Sequence, residues 1–346
     1  MEKLLLLLHT EDDGSLRRQS LEALTSAKET AEKIGADFYL GIVGNGAKKS
    51  TELIGNCGAK SFAVLEGNDF SVPRYSTDKS AALALIKHFA ATVVIAPNTS
   101  RWARALPGAT FQAGGRIDTR VTGIATDGGI QIQRWYYRQR MLATLSRTQR
   151  PWVILIESGI FKAWEKVSVQ VNVEEVSAEL KPEMKRTESK GYENASGGEQ
   201  TIKPDAPILF VAGAGYMKKQ SDGKTHVKEA EELIKKFLKL SGASLGSSKS
   251  LVEAASEGAE VISIMTHMNQ VGQTGSTPRH QKGLSTCCHG EEPHVIGWRF
   301  INERRAVNTD PNCGWAQGKT DVLYVADAFE VMTKLNEKWG QKWGQA

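Results

Sequence analysis

The chain has 346 residues, enough for two ordinary domains that each bury a core. Its 40% hydrophobic and 24% charged residues are those of a globular protein, and the net charge of +5 is mild. Because the basic residues are spread along the chain, the composition argues against a nucleic-acid-binding role.

Lys3–His9 reads as a strand. Its apolar run, Leu4 to Leu8, follows one lysine, is too short to cross a bilayer and has no signal-peptide cleavage site after it. No Arg/Ser-rich transit segment precedes it. The expected address is the cytoplasm of a microbe, without membrane insertion. Asp13-Gly14-Ser15 then opens a helix along Leu16, Leu21, Leu24, Ala27, Ala31 and Ile34, stopped by Gly35. Phe38–Val43 is the next strand, closed by Gly44-Asn45-Gly46. Lys48–Ile54 reads as a short helix, Ser61–Leu65 as a strand, and Asp78 as the cap of a helix through Phe89. Thr92–Ala96 is a continuous apolar strand. Strands and helices alternating at βαβ spacing, with fully apolar strands, predict a parallel sheet covered on both faces.

After Asn98 the pattern changes. Arg101–Ala113 fits a helix, but Val121–Ala125, the Asp127-Gly128-Gly129 turn, Ile130–Tyr137 and Trp152–Ile156 predict a meander added to that sheet. Trp135-Tyr136-Tyr137 lies among Arg134, Arg138 and Arg140, and its alternation suits a half-buried strand better than nucleic-acid stacking. From 177 to 204 the chain is charged, bears Gly and Ser, and has almost no large apolar residues, which predicts a linker. The expected organisation is therefore an α/β domain over 1–176, a linker over 177–204 and a second α/β domain over 205–346.

In the second domain Ile208–Val211 is a strand running into Gly213-Ala214-Gly215, and His226–Leu240 is a helix. Strand, glycine turn and helix together offer backbone N–H groups to a phosphate, although the third glycine of the dinucleotide fingerprint is missing. Val261–Met265, Val295–Trp298, Ala306–Val307 and Val322–Ala326 read as further strands, and Phe329–Trp339 as the closing helix. Cys57, Cys287, Cys288 and Cys313 read as reduced thiols. Cys287-Cys288-His289 has its cysteines adjacent, not two to four residues apart as zinc ligands usually are, so no metal is expected.

The stretch richest in binding chemistry is Gln270-Val271-Gly272-Gln273-Thr274-Gly275, followed by Gly290 and His294. Two close glycines let the backbone approach a flat or phosphorylated ligand. With no paired acid and base, the loop reads as a binding loop, not a hydrolytic centre. This hexapeptide resembles the signature loop of the electron-transfer flavoprotein alpha subunits. His294 falls where that family has a histidine, Asn308-Thr309-Asp310-Pro311 is similar to its Asn-Lys-Asp-Pro, and Val325-Ala326-Asp327 to its Val-Ala-Asp. Ala96-Pro97-Asn98-Thr99 fits as well.

The resemblance covers most of the chain. It implies an N-terminal α/β domain with a mostly parallel sheet and added antiparallel strands, plus a C-terminal doubly wound α/β domain that binds FAD. It implies Thr274 near the isoalloxazine N5, His294 at the pyrimidine carbonyl, and Asn308 and Asp327 towards the diphosphate and adenosine. Gly213, Gly215, Ser248, Lys249, Gln270, Val271, Gly272, Gln273, Gly275, His289, Gly290 and Asp310 complete the expected cofactor set. Donors fixed near N1–O2 stabilise negative charge on a reduced flavin. The implied partners are an electron-transfer flavoprotein beta-like subunit and a flavin dehydrogenase, such as an acyl-CoA dehydrogenase, or a reductase. An apolar surface on the N-terminal domain is expected to face the beta subunit.

The sequence departs from the family in several places. Gly213-Ala214-Gly215-Tyr216 replaces Gly-Gly-Arg-Gly, Ser248-Lys249 replaces Ser-Arg, and His289-Gly290 replaces Ser-Gly. Cys287 and Cys288 stand where the family has apolar residues. Lysine keeps the charge of arginine but cannot stack as a planar cation. Bland readings stand beside the functional ones: Asn308 and Asp310 as turn residues before Pro311, Lys249 as a solvated charge, His294 as a satisfied core histidine. Two alternatives follow. One is a structural or docking subunit of an oxidoreductase complex, built on a modified flavin pocket. The weaker one is a nicotinamide dehydrogenase, for which a full G-x-G-x-x-G is missing.

Overall fold

A computed structural model describes residues 1–137, 141–190, 202–254, 260–272, 277–287 and 301–343. The chain divides into two compact units, Met1–Tyr192 and Glu193–Ala346.

Unit 1 is built on β1 (Lys3–His9), β2 (Asp37–Val43), β3 (Ser61–Leu65), β4 (Val93–Pro97), β5 (Arg116–Ala125), β6 (Gln131–Tyr136), β7 (Met141–Leu145), β8 (Trp152–Ile156) and β9 (Val173–Glu175). Its helices are α1 (Arg18–Ile34), α2 (Ala47–Glu52), α3 (Asn68–Ser71), α4 (Tyr75–His88) and α5 (Ser100–Gln112). Among the described residues the strands form one sheet in the order β7-β6-β5-β8-β4-β1-β2-β3-β9. Pairing is parallel from β5 through to β9 and antiparallel in β5–β6–β7. The leucine run explains why the sheet is covered twice. Leu4, Leu6 and Leu8 join one core with α1, while Leu5 and Leu7 join the opposite core with α4 and α5. A strand buried on both faces has no need of alternation.

Three local expectations are corrected here. Asp78 is not the cap of α4, since Arg74 precedes the helix; Asp78 lies in the first turn and accepts the Arg74 N–H at 3.2 Å. The edge strand β7 was missed because it is short, its side chains are exposed or only partly buried, and the sequence Met-Leu-Ala-Thr-Leu carries no clear apolar–polar alternation. The polar β9 was also missed; it gains its place by pairing with β3. Beyond it, Val176, Ala178 and Leu180 pack on the core of α4 and α5, and Arg74 Nε donates to Thr187 O at 2.7 Å.

Unit 2 contains β10 (Leu209–Ala212), α6 (Val227–Ser241), β11 (Ser244–Ser247), α7 (Lys249–Glu253), β12 (His280–Thr286), β13 (Ile301–Asn308), α8 (Gly314–Lys319), β14 (Val322–Val325) and α9 (Ala328–Trp343). Its strands are parallel, in the order β11-β10-β12-β13-β14. Phe210, Ile234, Phe237 and Met332 lie at the centre of the core beneath α6 and α9.

The expected strand at Val261–Met265 does not form. Ile262 and Met265 are buried there, but the segment is turned: Glu231 takes the Ser263 N–H and hydroxyl, both at 2.7 Å, and a capping box at Thr266 and Asn269 follows. The expected strand Val295–Trp298 lies outside the described residues. Conversely, β11 and β12 are rich in Ser, Gly and Thr and gave no apolar signal. They are strands because their neighbours supply complete parallel ladders.

Candidate functional site

In a parallel sheet every strand ends on the same edge. In unit 2 that edge receives Gly213 after β10, Ser248 and Lys249 after β11, Cys287 after β12, Asn308 closing β13, and Asp327 after β14. The strand order reverses between β10 and β12, and ligands of open α/β sheets bind in the crevice at such a reversal.

Backbone hydrogen bonds draw these loops together. Gly213 N donates to Thr286 O at 2.8 Å, Gly215 N to Cys287 O at 3.0 Å, and Ser248 N to Ala212 O at 2.8 Å. The loop holding Gln270, Val271 and Gly272 is anchored beside them. Gln270 bridges Ser247, Val271 N donates to Ser247 O at 3.1 Å, and Asn269 Nδ2 donates to Leu245 O at 3.1 Å. Val271 is fully buried, and Gly272 turns at φ 83°, a conformation glycine adopts freely. Its N–H donates to Thr277 Oγ1 at 2.7 Å.

The polar side chains already have local work. Ser248 Oγ caps α7 by accepting from Leu251 N at 3.2 Å. Asn308 Oδ1 accepts from Asp310 N at 3.0 Å, and Asp310 Oδ1 from Asn312 N at 2.8 Å. Asp327 Oδ1 caps α9, accepting from Phe329 N at 2.9 Å and Glu330 N at 3.1 Å. Lys249 Nζ pairs with Glu253 at 3.3 Å, both side chains being well exposed. The residues Gln273, Thr274, Gly275, His289, Gly290 and His294 lie outside the described residues.

Two features escaped the sequence reading. Tyr216 is fully buried and its hydroxyl donates to Thr286 Oγ1 at 2.9 Å, tying the glycine turn to β12. Ser247 is also fully buried, and its Oγ has no hydrogen-bond partner among the described residues. A serine before a capping serine gives no signal in a sequence. Cys287, which follows β12 on this edge, takes a φ of 57°, uncommon for a non-glycine residue.

The electron transfer flavoprotein domain family matches residues 5–181, just over half the chain. The chain belongs to that family. Most of its length is similar to the electron transfer flavoprotein subunit alpha of Clostridium acetobutylicum, 22% identical over 341 residues and covering 93% of each chain. It is also similar to Protein FixB of Clostridium saccharobutylicum, 23% identical over 339 residues, which cover 93% of this chain and 92% of the relative. Membership of the electron transfer flavoprotein family implies electron transfer. The residues of the unit 2 edge fit a flavin-type group: glycine turns at a strand-order reversal, an orphaned buried hydroxyl at Ser247, and a lysine. Among the described residues no helix is long and apolar enough to cross a membrane.

Proposed function

We propose that this chain is the alpha-like subunit of a heterodimeric electron-transfer flavoprotein that binds FAD non-covalently along the carboxyl edge of the unit 2 sheet. It relays electrons between a flavin dehydrogenase or reductase and another redox partner. The convergence of ten expected cofactor residues on one sheet edge carries this reading: Gly213, Gly215, Ser248, Lys249, Gln270, Val271, Gly272, Asn308, Asp310 and Asp327. FAD supplies the redox chemistry when bound. With their own N–H groups engaged by Thr286 and Cys287, Gly213 and Gly215 serve the diphosphate by lacking a Cβ, and the Ser247 hydroxyl, without a partner among the described residues, offers a polar contact. Gln273, Thr274, Gly275, His289, Gly290 and His294 belong to the same proposed set.

The beta-like partner is supported by exposed apolar side chains on the edge strands β6 and β7, where the paired Trp135 and Leu142 share a face and are 39% and 43% exposed.

Two observations favour a second reading, a docking subunit without flavin. Lys249 is turned to Glu253, and the carboxylate of Asp327 is engaged in capping. Co-expression with the beta-like subunit and an absorption spectrum separate the two. Stoichiometric FAD with bands near roughly 370 and 450 nm supports the carrier; a flavin-free heterodimer supports the docking subunit.

A further inference from the structure

The loop that joins the glycine turn of unit 2 to α6 ends at a histidine whose two ring nitrogens both meet carboxylates. His226 Nε2 lies 2.8 Å from Asp222 Oδ2, and Nδ1 lies 3.1 Å from Glu229 Oε2. A neutral imidazole has one N–H and one lone pair, so it satisfies one of these carboxylates and repels the other. The imidazolium donates to both. The geometry is that of a charged ring, on the side chain that changes charge nearest to neutral pH.

The surroundings sustain that charge. The loop supplies Asp222, whose Oδ1 takes the Lys224 N–H at 2.9 Å, and α6 supplies Glu229. From α9 comes Phe329, an uncharged ring edge-on to His226 with centroids 6.1 Å apart. Lys224, Lys228 and Glu330 are the next charged residues along these elements. The hydrogen bond to Asp222 first, then the Asp222 charge and Glu229, raise His226 above the ordinary 6.5. The Lys224 N–H and His226 hold the Asp222 carboxyl below its usual range, so it stays ionised wherever the imidazole titrates.

The same loop is tied to the glycine turn at its other end. Lys218 N donates to Gly215 O at 3.2 Å, and Gln220 Nε2 donates to that carbonyl at 3.1 Å. Gln220 N also donates to Lys224 O at 2.8 Å, folding the loop back on itself. Phe329 in turn packs edge-on against the buried Tyr216, with centroids 5.3 Å apart. The imidazole, the starts of α6 and α9, and the glycine turn therefore form one chain of contacts. Lys218, Lys219 and Lys224 are exposed on this loop, and their positive potential stays beside the turn only while the loop is held.

We infer that Asp222, His226 and Glu229 form a pH-sensitive latch: the imidazolium holds the loop from 218 to 226 against the glycine turn, and the neutral ring releases it. The stabilisation is fully present below about pH 6.5 and is lost as pH rises through the raised folded value. Release breaks one of the two carboxylate contacts and frees the basic loop to swing from the turn.

NMR titration and hydrogen exchange on the purified full-length chain test this, and neither readout depends on bound flavin. The His226 ring signal, assigned as the one missing from His226→Gln, has its midpoint above pH 6.5, and Asp222→Asn moves that midpoint down. Glutamine, like the neutral imidazole, offers one donor and one acceptor at every pH. At pH 6 peptides covering 218–226 exchange about threefold faster in His226→Gln than in the unsubstituted protein, the scale of exposed ion pairs. At pH 9 the two proteins exchange alike, and peptides from β10 and β12 are unchanged at either pH. A midpoint at or below 6.5, equal exchange of the loop at pH 6, or a difference that persists at pH 9 would overturn the latch.

Discussion

Arg101 clasps Asp78 with two donors on one carboxylate oxygen, Nε at 3.0 Å and Nη2 at 2.7 Å, where Asp78 is fully buried and Arg101 is 4% exposed. Arg101 Nη2 also donates to Phe70 O at 2.7 Å, and Asp78 Oδ2 takes the Arg74 N–H, so the pair joins α4, α5 and the α3 turn. Burial pushes the Asp78 carboxyl upward against the opposing pull of Arg101. Arg101→Met leaves the buried carboxylate with only the more distant, half-exposed Arg104 at 3.7 Å and costs about 3 kcal/mol, whereas replacing both Arg101 and Asp78 by apolar residues recovers most of the loss. Urea unfolding of the two single variants and the double variant measures this. Equal losses in the single and double variants would contradict it.

His9 gives unit 1 a pH dependence of definite sign. Its folded pKa of about 3 lies below the ordinary 6.5, because burial disfavours the imidazolium and Arg101 adds to the effect. The unfolded chain therefore binds the extra proton. Stability from this group is fully present above about pH 6.5 and is lost as pH falls towards 3, at up to about 1.4 kcal/mol per pH unit. His9→Gln flattens the change in urea midpoint between pH 7 and pH 5 relative to the unsubstituted protein. Parallel pH profiles would show that His9 does not titrate this way.

Lys249 separates stability from cofactor retention. Its ion pair with Glu253 is solvent-exposed and spans one turn of a short helix, so it contributes less than about 0.5 kcal/mol. Lys249→Ala leaves the melting temperature nearly unchanged. If the proposed flavin site is right, it also weakens FAD retention by about tenfold, the worth of one charge-assisted contact. Lys249→Arg restores retention and adds a planar cation able to stack. Retention is read by the flavin released on gel filtration, and no loss in Lys249→Ala would remove Lys249 from the site.

The fold was legible where burial leaves an apolar signature. Leu4–Leu8, Val93–Ile95 and Trp152–Ile156 are continuous apolar runs, and each is a central strand buried on both faces. Legibility ended where tertiary pairing overrides composition. Ser244–Ser247 and His280–Thr286 carry serine, glycine and threonine, and they are strands because β10 and β13 complete their ladders. Ile262 and Met265 are as apolar as a strand, yet hydrogen bonds from Ser263 to Glu231 bend them into a turn. At the candidate site, resemblance supplied the expected residues, and only the parallel sheet shows why positions as distant as Gly213 and Asp327 share an edge. The local roles of Asn308, Asp310 and Asp327 as turn and cap acceptors match the turn chemistry readable from Asn and Asp ahead of proline or a helix.

Gly246 links packing to the proposed cofactor edge. A Cβ at this position would lie 2.7 Å from Val271 Cγ2, 3.2 Å from Leu209 Cδ1 and 3.2 Å from the Phe210 carbonyl oxygen. Valine is stiff at χ1 and the carbonyl belongs to the neighbouring strand, so neither yields cheaply. Val271 is also the residue whose N–H ties the glycine-rich loop to Ser247. Gly246→Ala therefore overpacks the end of β11, costs about 1–3 kcal/mol, and pushes the loop bearing Gln270 and Gly272 away from the edge. The expected result is a folded protein with a lower urea midpoint and a reduced flavin-to-protein ratio. Gly318→Ala, at an open position on α8 with nothing within 4 Å of the added Cβ, serves as the control: it keeps the flavin content and raises the urea midpoint slightly, since alanine suits a helix better than glycine. If Gly246→Ala keeps its full flavin content while losing stability, the loop anchored at Val271 does not position the cofactor.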